Sequence, residues 1–273
     1  MTNANERRGD IDGPEALASL VRLIADRAAD AVGHKTKVCF LLGAGADISS
    51  GGLTFAELKR QAVEEFSKRR LFDVTLPEQI EARFEDLFLR LQPDERALLV
   101  DWLFHRMQPL RPSDAYKLLV LLAEAGGVDA VVTTNFDLML EEAQAQLGRD
   151  LFHIYAPGLA RPYLLSHARY ELPKKPYLKL HGDIASRSVT LLTSADLDGA
   201  TYDASMLELL ETILRTHDLV LVGYSGFDPA LARIIGGATS ATANRIFWCN
   251  PRPPSPESPL YDALPISKPG NVV

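Results

Sequence analysis

Short apolar runs bounded by glycine alternate along this chain with longer stretches whose apolar positions recur every three or four residues. Lys37–Leu42 (KVCFLL), Val128–Thr133 (VDAVVT), Tyr177–Leu180 (YLKL), His217–Val222 (HDLVLV) and Ile246–Cys249 (IFWC) are runs of the first kind. That is the profile of strands buried on both faces of a parallel sheet. Helical spacing predicts helices over Pro14–Val32, Thr54–Lys68, Pro77–Leu91, Pro93–Met107, Ser113–Ala125, Asp137–Leu147, Met206–Thr216 and Pro229–Gly236. Phe152–Tyr170 reads as strand and loop, and Ser188–Thr193 as a strand or half of a hairpin. Strands alternating with helices imply an α/β fold, a mostly parallel sheet flanked by helices. The helical block between the first two strands is too long for a simple crossover. Residues from about 54 to 127 are therefore expected to form a helical insertion.

Composition narrows the function classes. Among 273 residues, 29 Lys and Arg face 36 Asp and Glu, a formal charge of −7. A surface of that sign repels phosphate backbones, so direct nucleic-acid binding is not expected. No apolar run reaches the ~18 residues of a membrane span, and the polar start MTNANERRGDIDG lacks the apolar core of a signal peptide. A cytoplasmic protein is expected. The two cysteines, Cys39 and Cys249, are too few for a four-cysteine zinc site, and no metal is expected. After Asn250 the chain turns to PRPPSPESP, which does not suit a strand or a helix. It reads as a linker to a further domain, and the SPLYDALPIS that follows also resembles translated adaptor sequence. Residues 251–273 are thus expected to be a proline-rich linker or a non-native tail.

Four motifs sit at the carboxyl ends of predicted strands, where a parallel sheet places its sites. Gly43-Ala44-Gly45-Ala46-Asp47 follows the first strand. Its glycines would let backbone approach a pyrophosphate, or they simply make a tight turn. The third glycine of the dinucleotide fingerprint is replaced by Ile48, so that pattern fails. Thr133-Thr134-Asn135-Phe136-Asp137 brings hydroxyls, an amide and a carboxylate together, suited to orienting sugar hydroxyls or a water, or to capping the next helix. Leu180-His181-Gly182-Asp183 holds the one histidine of six that lies at a strand end beside glycine, the setting of a general base. Gly223-Tyr224-Ser225-Gly226-Phe227-Asp228 misses the G-x-S-x-G nucleophile elbow because position 227 is Phe227. A loop lying along a ribose or phosphate remains open there.

In order and spacing these motifs resemble the sirtuin family in its broad sense, over about Lys37 to Asn250. The resemblance implies a Rossmann-like NAD-binding domain over residues 1–250, with NAD as substrate. It implies that Gly43, Ala44, Gly45 and Asp47 cradle the pyrophosphate, that Phe55 walls the nicotinamide pocket, and that Thr134 lies in the nicotinamide and ribose motif. Asn135 and Asp137 inherit that motif's catalytic roles, and His181 the catalytic histidine's. Gly223, Ser225 and Asp228 fall in the later Gly/Ser loop, and Asn250 lies near the adenosine.

Departures from the pattern sharpen what it implies. Asp47 stands where sirtuins have serine, Thr134 where they have glutamine, and Ala56 where they have arginine. No cysteine lies between His181 and Gly223, so the four-cysteine zinc module of protein-deacylating sirtuins is missing. This is similar to the sirtuin-like domains of bacterial antiphage defence, which hydrolyse NAD to nicotinamide and ADP-ribose. A sensor domain or partner protein and a homo-oligomer are the implied partners. A NAD-dependent ADP-ribosyl or acyl transferase and a non-catalytic NAD or ADP-ribose sensor are the alternatives.

Overall fold

The computed structural model describes residues 13–29, 37–68, 92–157, 175–186, 188–189, 203–240, 242, 244–250 and 255–264. In chain order the elements are α1 (Gly13–Ala29), β1 (Lys37–Leu42), a 3-10 helix (Ala44–Ser50), α2 (Phe55–Lys68), α3 (Pro93–Met107), α4 (Asp114–Glu124), β2 (Ala130–Thr133), α5 (Met139–Gln146) and β3 (Phe152–Tyr155). There follow β4 (Lys175–Lys179), β5 (Gly182–Asp183), β6 (Ser188–Val189), α6 (Ala204–Thr216), β7 (His217–Val222), α7 (Pro229–Ser240), β8 (Ile246–Cys249) and α8 (Pro259–Ala263). The Pro77–Leu91 helix expectation and the stretches 158–174 and 190–193 lie outside the described residues.

Among the described residues, six strands form one parallel sheet in the order β3-β4-β2-β1-β7-β8, and β5 and β6 pair antiparallel beside it. The mostly parallel sheet flanked by helices is the fold that the strand runs imply. Strands β1 and β7 are buried along nearly their whole length, which is why they carry no polar alternation. One face of the sheet is covered by α1, α4 and α5, through Leu23, Tyr116, Val120, Leu140 and their neighbours. The other face is covered by α6, α7 and α8, through Leu210, Ile213, Ile235 and Leu260. Helices α2 and α3 build a third core from Leu58, Phe66, Leu99 and Leu103, and Phe136 and Ile184 from the strand-end loops enter it.

Two boundaries differ from the sequence pattern. Helix α7 continues past Gly236 to Ser240, and a β-carbon at Gly236 would lie 2.7 Å from the Ala263 carbonyl oxygen. The glycine serves close helix packing there and does not end the helix. Part of the stretch read as linker or tail also packs: Leu260 and Ser258 are fully buried, and Leu260 N–H donates to the Gly226 carbonyl at 3.1 Å. Residues 251–254 and 265–273 lie outside the described residues. No described helix is long and apolar enough to cross a membrane.

Candidate functional site

The strand order reverses between β1 and β7, and a crevice at the carboxyl ends of such strands is where open α/β sheets bind ligands. Here the two loops press together. Gly43 N–H donates to Val222 O and Gly45 N–H to Gly223 O, both at 3.0 Å. A β-carbon on Gly43 would lie 2.7 Å from the Gly223 oxygen, and one on Gly223 would lie 2.3 Å from the Ala46 nitrogen. Gly223 is also left-handed, with φ +62°, so both its conformation and its surroundings demand glycine. The glycines thus make one continuous floor across the switch point.

Above this floor, Ala44, Asp47, Asn135 and Asp137 line a narrow cleft of about 20 Å³ with Leu53, Leu58, Met107 and Phe136. That is room for one water. Asn135 Nδ2 donates to Asp47 Oδ2 at 2.9 Å and to Gly43 O at 3.1 Å. The Tyr116 hydroxyl donates to the other Asp47 oxygen. Asn135 Oδ1 is buried and has no hydrogen-bond partner among the described residues. Asp137 Oδ1 accepts from Met139 N–H at 2.8 Å at the start of α5, so this carboxylate both caps a helix and lines the cleft. Burial, and then the charge of neighbouring Asp137, hold the Asp47 carboxyl well above the usual aspartate range.

His181, 1% exposed, lies in the turn after β4. Leu180 N–H donates to Thr133 O at 2.8 Å and Ile184 N–H to Phe136 O at 2.9 Å, which fasten this turn beside the Asn135 loop. His181 Nε2 is 3.4 Å from Asp228 Oδ2. The structure therefore sets Asp228, read with the cofactor residues, against the histidine, while its Oδ1 accepts from Leu231 N–H at the start of α7. Thr134 is buried with its N–H on Leu42 O. Asn250 Nδ2 donates to Tyr224 O at 2.8 Å, and Ser225 is exposed. Phe55 opens α2, and its side chain lies outside the described residues.

Sequence reasoning missed Tyr116 and a buried ionic cluster. Lys179 is fully buried, and its Nζ donates to Asp137 O at 2.5 Å, Glu141 Oε1 at 2.8 Å and Asp183 Oδ2 at 3.0 Å. Burial alone would push this ammonium down, but Glu141, Asp183 and Asp137 more than reverse it and hold it charged. The cluster ties the Asn135–Asp137 loop to the His181 turn. Its signal was legible as a lysine inside an otherwise apolar strand. Tyr116 offered none, being one aromatic on a helix.

Burial pushes the Glu141 carboxyl from 4.5 up to about 7, against the pull of Lys179. Its folded value lies above the ordinary one, so its contribution to stability is complete below pH 4.5 and is lost as pH rises through about 7. Glu141→Gln is expected to remove up to about 3 kcal/mol of pH dependence between those limits. Urea unfolding of wild type and variant across that range measures it. A constant difference between the two curves would mean that Glu141 does not titrate in that range.

Comparison with known proteins places these features. The family described as a SIR2-like domain matches residues 129–264. That segment is similar to a SIR2-like domain. It holds Asn135, Asp137, His181, Asp228 and Asn250, together with the ionic cluster. A Sir2 homologue in complex with NAD is 17% identical with a TM-score of 0.51, covering 93% of this chain and 86% of that one. A Sir2 homologue mutant with ADP-ribose is 18% identical with a TM-score of 0.51, covering 93% and 90%. A Sir2 structure with a p53 peptide and NAD+ is 15% identical with a TM-score of 0.51, covering 91% and 90%. At these identities the likeness establishes the sirtuin fold across most of the chain. No curated protein matches its sequence.

Proposed function

We propose that this protein binds NAD and hydrolyses its nicotinamide–ribose bond to nicotinamide and ADP-ribose, as a defence effector that depletes NAD. The observation that carries the reading is Asn135. Its Oδ1 is a buried acceptor without a partner among the described residues, in a cleft with room for one water at the switch point of a sirtuin fold. NAD and ADP-ribose in related structures support the substrate class.

The chemistry asks little of the protein. The bond between C1′ and the nicotinamide nitrogen breaks with its electron pair leaving on nicotinamide, which departs neutral. A water oxygen bonds to C1′ and gives up a proton. Asn135 Oδ1 accepts a hydrogen bond from that water or from a ribose hydroxyl and fixes its direction. His181, backed by the Asp228 carboxyl, takes the proton. Asp137 supports the loop that carries Asn135, and the Gly43–Gly45 backbone with Ser225 meets phosphate and ribose.

The test is the product profile of purified protein with NAD, by mass spectrometry. Nicotinamide plus ADP-ribose is expected, and Asn135→Ala is expected to lose at least about 100-fold in rate with its thermal unfolding retained. An active Asn135→Ala protein sinks the assignment. Some related structures hold NAD with a peptide, which favours acyl transfer as the second reading. An acetyl-lysine peptide that changes the products would select it.

A further inference from the structure

The side-chain amide of Asn135 has two nearly isosteric orientations, with oxygen and nitrogen exchanged. Two neighbours decide between them. Nδ2 faces Asp47 Oδ2 at 2.9 Å and the Gly43 carbonyl at 3.1 Å. The carbonyl accepts only, and the Asp47 oxygen that faces Nδ2 accepts from it, its partner oxygen being the one taken by Tyr116. The exchanged orientation would press Oδ1 against two acceptors. The Tyr116 hydroxyl, donating to the second Asp47 oxygen, holds that carboxylate in place. Both amide donors are thus used, and Oδ1 alone is offered to whatever enters the cleft.

We infer that Asp47 and Tyr116 are positioning residues that lock the Asn135 amide with Oδ1 toward the ligand hydroxyl or water. A serine in place of Asp47 would donate as well as accept and would not discriminate the two orientations. Tyr116 lies 69 residues from Asp47 in sequence and comes from α4, so the helical region between β1 and β2 gives the site a hydroxyl as well as an apolar wall. The groups that act on Asp47 are Asp137 beside β2, Tyr116 on α4 and Lys179 on β4. Burial and then Asp137 oppose its ionised form and outweigh Tyr116 and Lys179, which favour it. Protonating Asp47 puts a donor among the acceptors, so the lock loosens as pH falls.

The first arm of the test needs no substrate. In ligand-free, 15N-labelled protein the two Asn135 Nδ2 protons are expected as a slowly exchanging pair, assigned by their loss in Asn135→Ala. Tyr116→Phe, which keeps the ring, and Asp47→Ser should each speed their exchange about tenfold while the backbone amides of β1 and β2 stay in place. Unchanged exchange in both variants overturns the lock. Where Asp47→Ser does not fold, Tyr116→Phe decides. The second arm rests on the NAD-hydrolysis reading: Tyr116→Phe should lower kcat for NAD about tenfold with KM altered less than about threefold. An unchanged kcat overturns the inference. A wild type that leaves NAD intact removes the hydrolysis reading instead, and the exchange arm alone then decides on Asp47 and Tyr116.

Discussion

Replacing His181 with alanine is expected to lower NAD turnover by about 10²–10⁴-fold while NAD binding changes far less. The expectation follows from place and partner together. The side chain is almost wholly buried, its turn is bonded to both Thr133 and Phe136, and Asp228 Oδ2 lies 3.4 Å from Nε2. A carboxylate at that distance stabilises the imidazolium formed when a proton arrives, an arrangement that general-base catalysis uses and a packing residue does not require. Initial rates beside calorimetric binding of NAD separate the two roles. His181→Gln should fall in turnover as His181→Ala does, because it restores volume but no base. Binding and turnover lost in equal measure would make His181 a structural residue.

Lys179→Met should cost about 3–5 kcal/mol of stability, the usual result of removing one partner from a buried ionic group. The substitution leaves Asp183 Oδ2, Glu141 Oε1 and the Asp137 carbonyl without their shared donor. The triple variant Lys179→Met, Glu141→Gln, Asp183→Asn should recover much of the loss, since it removes the stranded charges as well. Chemical denaturation at neutral pH gives both numbers. A loss under about 1 kcal/mol for the single variant would mean that water already reaches the cluster.

How much of this was legible in the sequence depended on the range of the interactions. KVCFLL, HDLVLV and IFWC coincide with β1, β7 and β8 end to end, because strands covered on both faces are built mainly of apolar residues, with His217 and Asp218 of β7 as buried exceptions. The edge was harder. β4 begins at Lys175 and not Tyr177, since Lys175 and Pro176 pair with Phe152 and His153 of β3, where less burial means less pattern. The strand-end motifs brought Asp47, Asn135 and Asp137 to one cleft because a parallel sheet gathers its carboxyl ends. Asn135 meets Asp47 across 88 residues and Tyr116 meets Asp47 across 69. Nothing local marks such partners. Lys179 and Asp218 broke their surroundings visibly, each a charge where the strand is buried.

The paired glycine loops have a mechanical consequence. With backbone hydrogen bonds joining Gly43 and Gly45 to the end of β7, and no space between the loops for a single methyl group, the two halves of the sheet are stitched together beneath the cleft. Neither loop can widen without dragging the other. Deformation of the β7 loop is transmitted through the stitch to Asp47, and so to the direction in which Asn135 points.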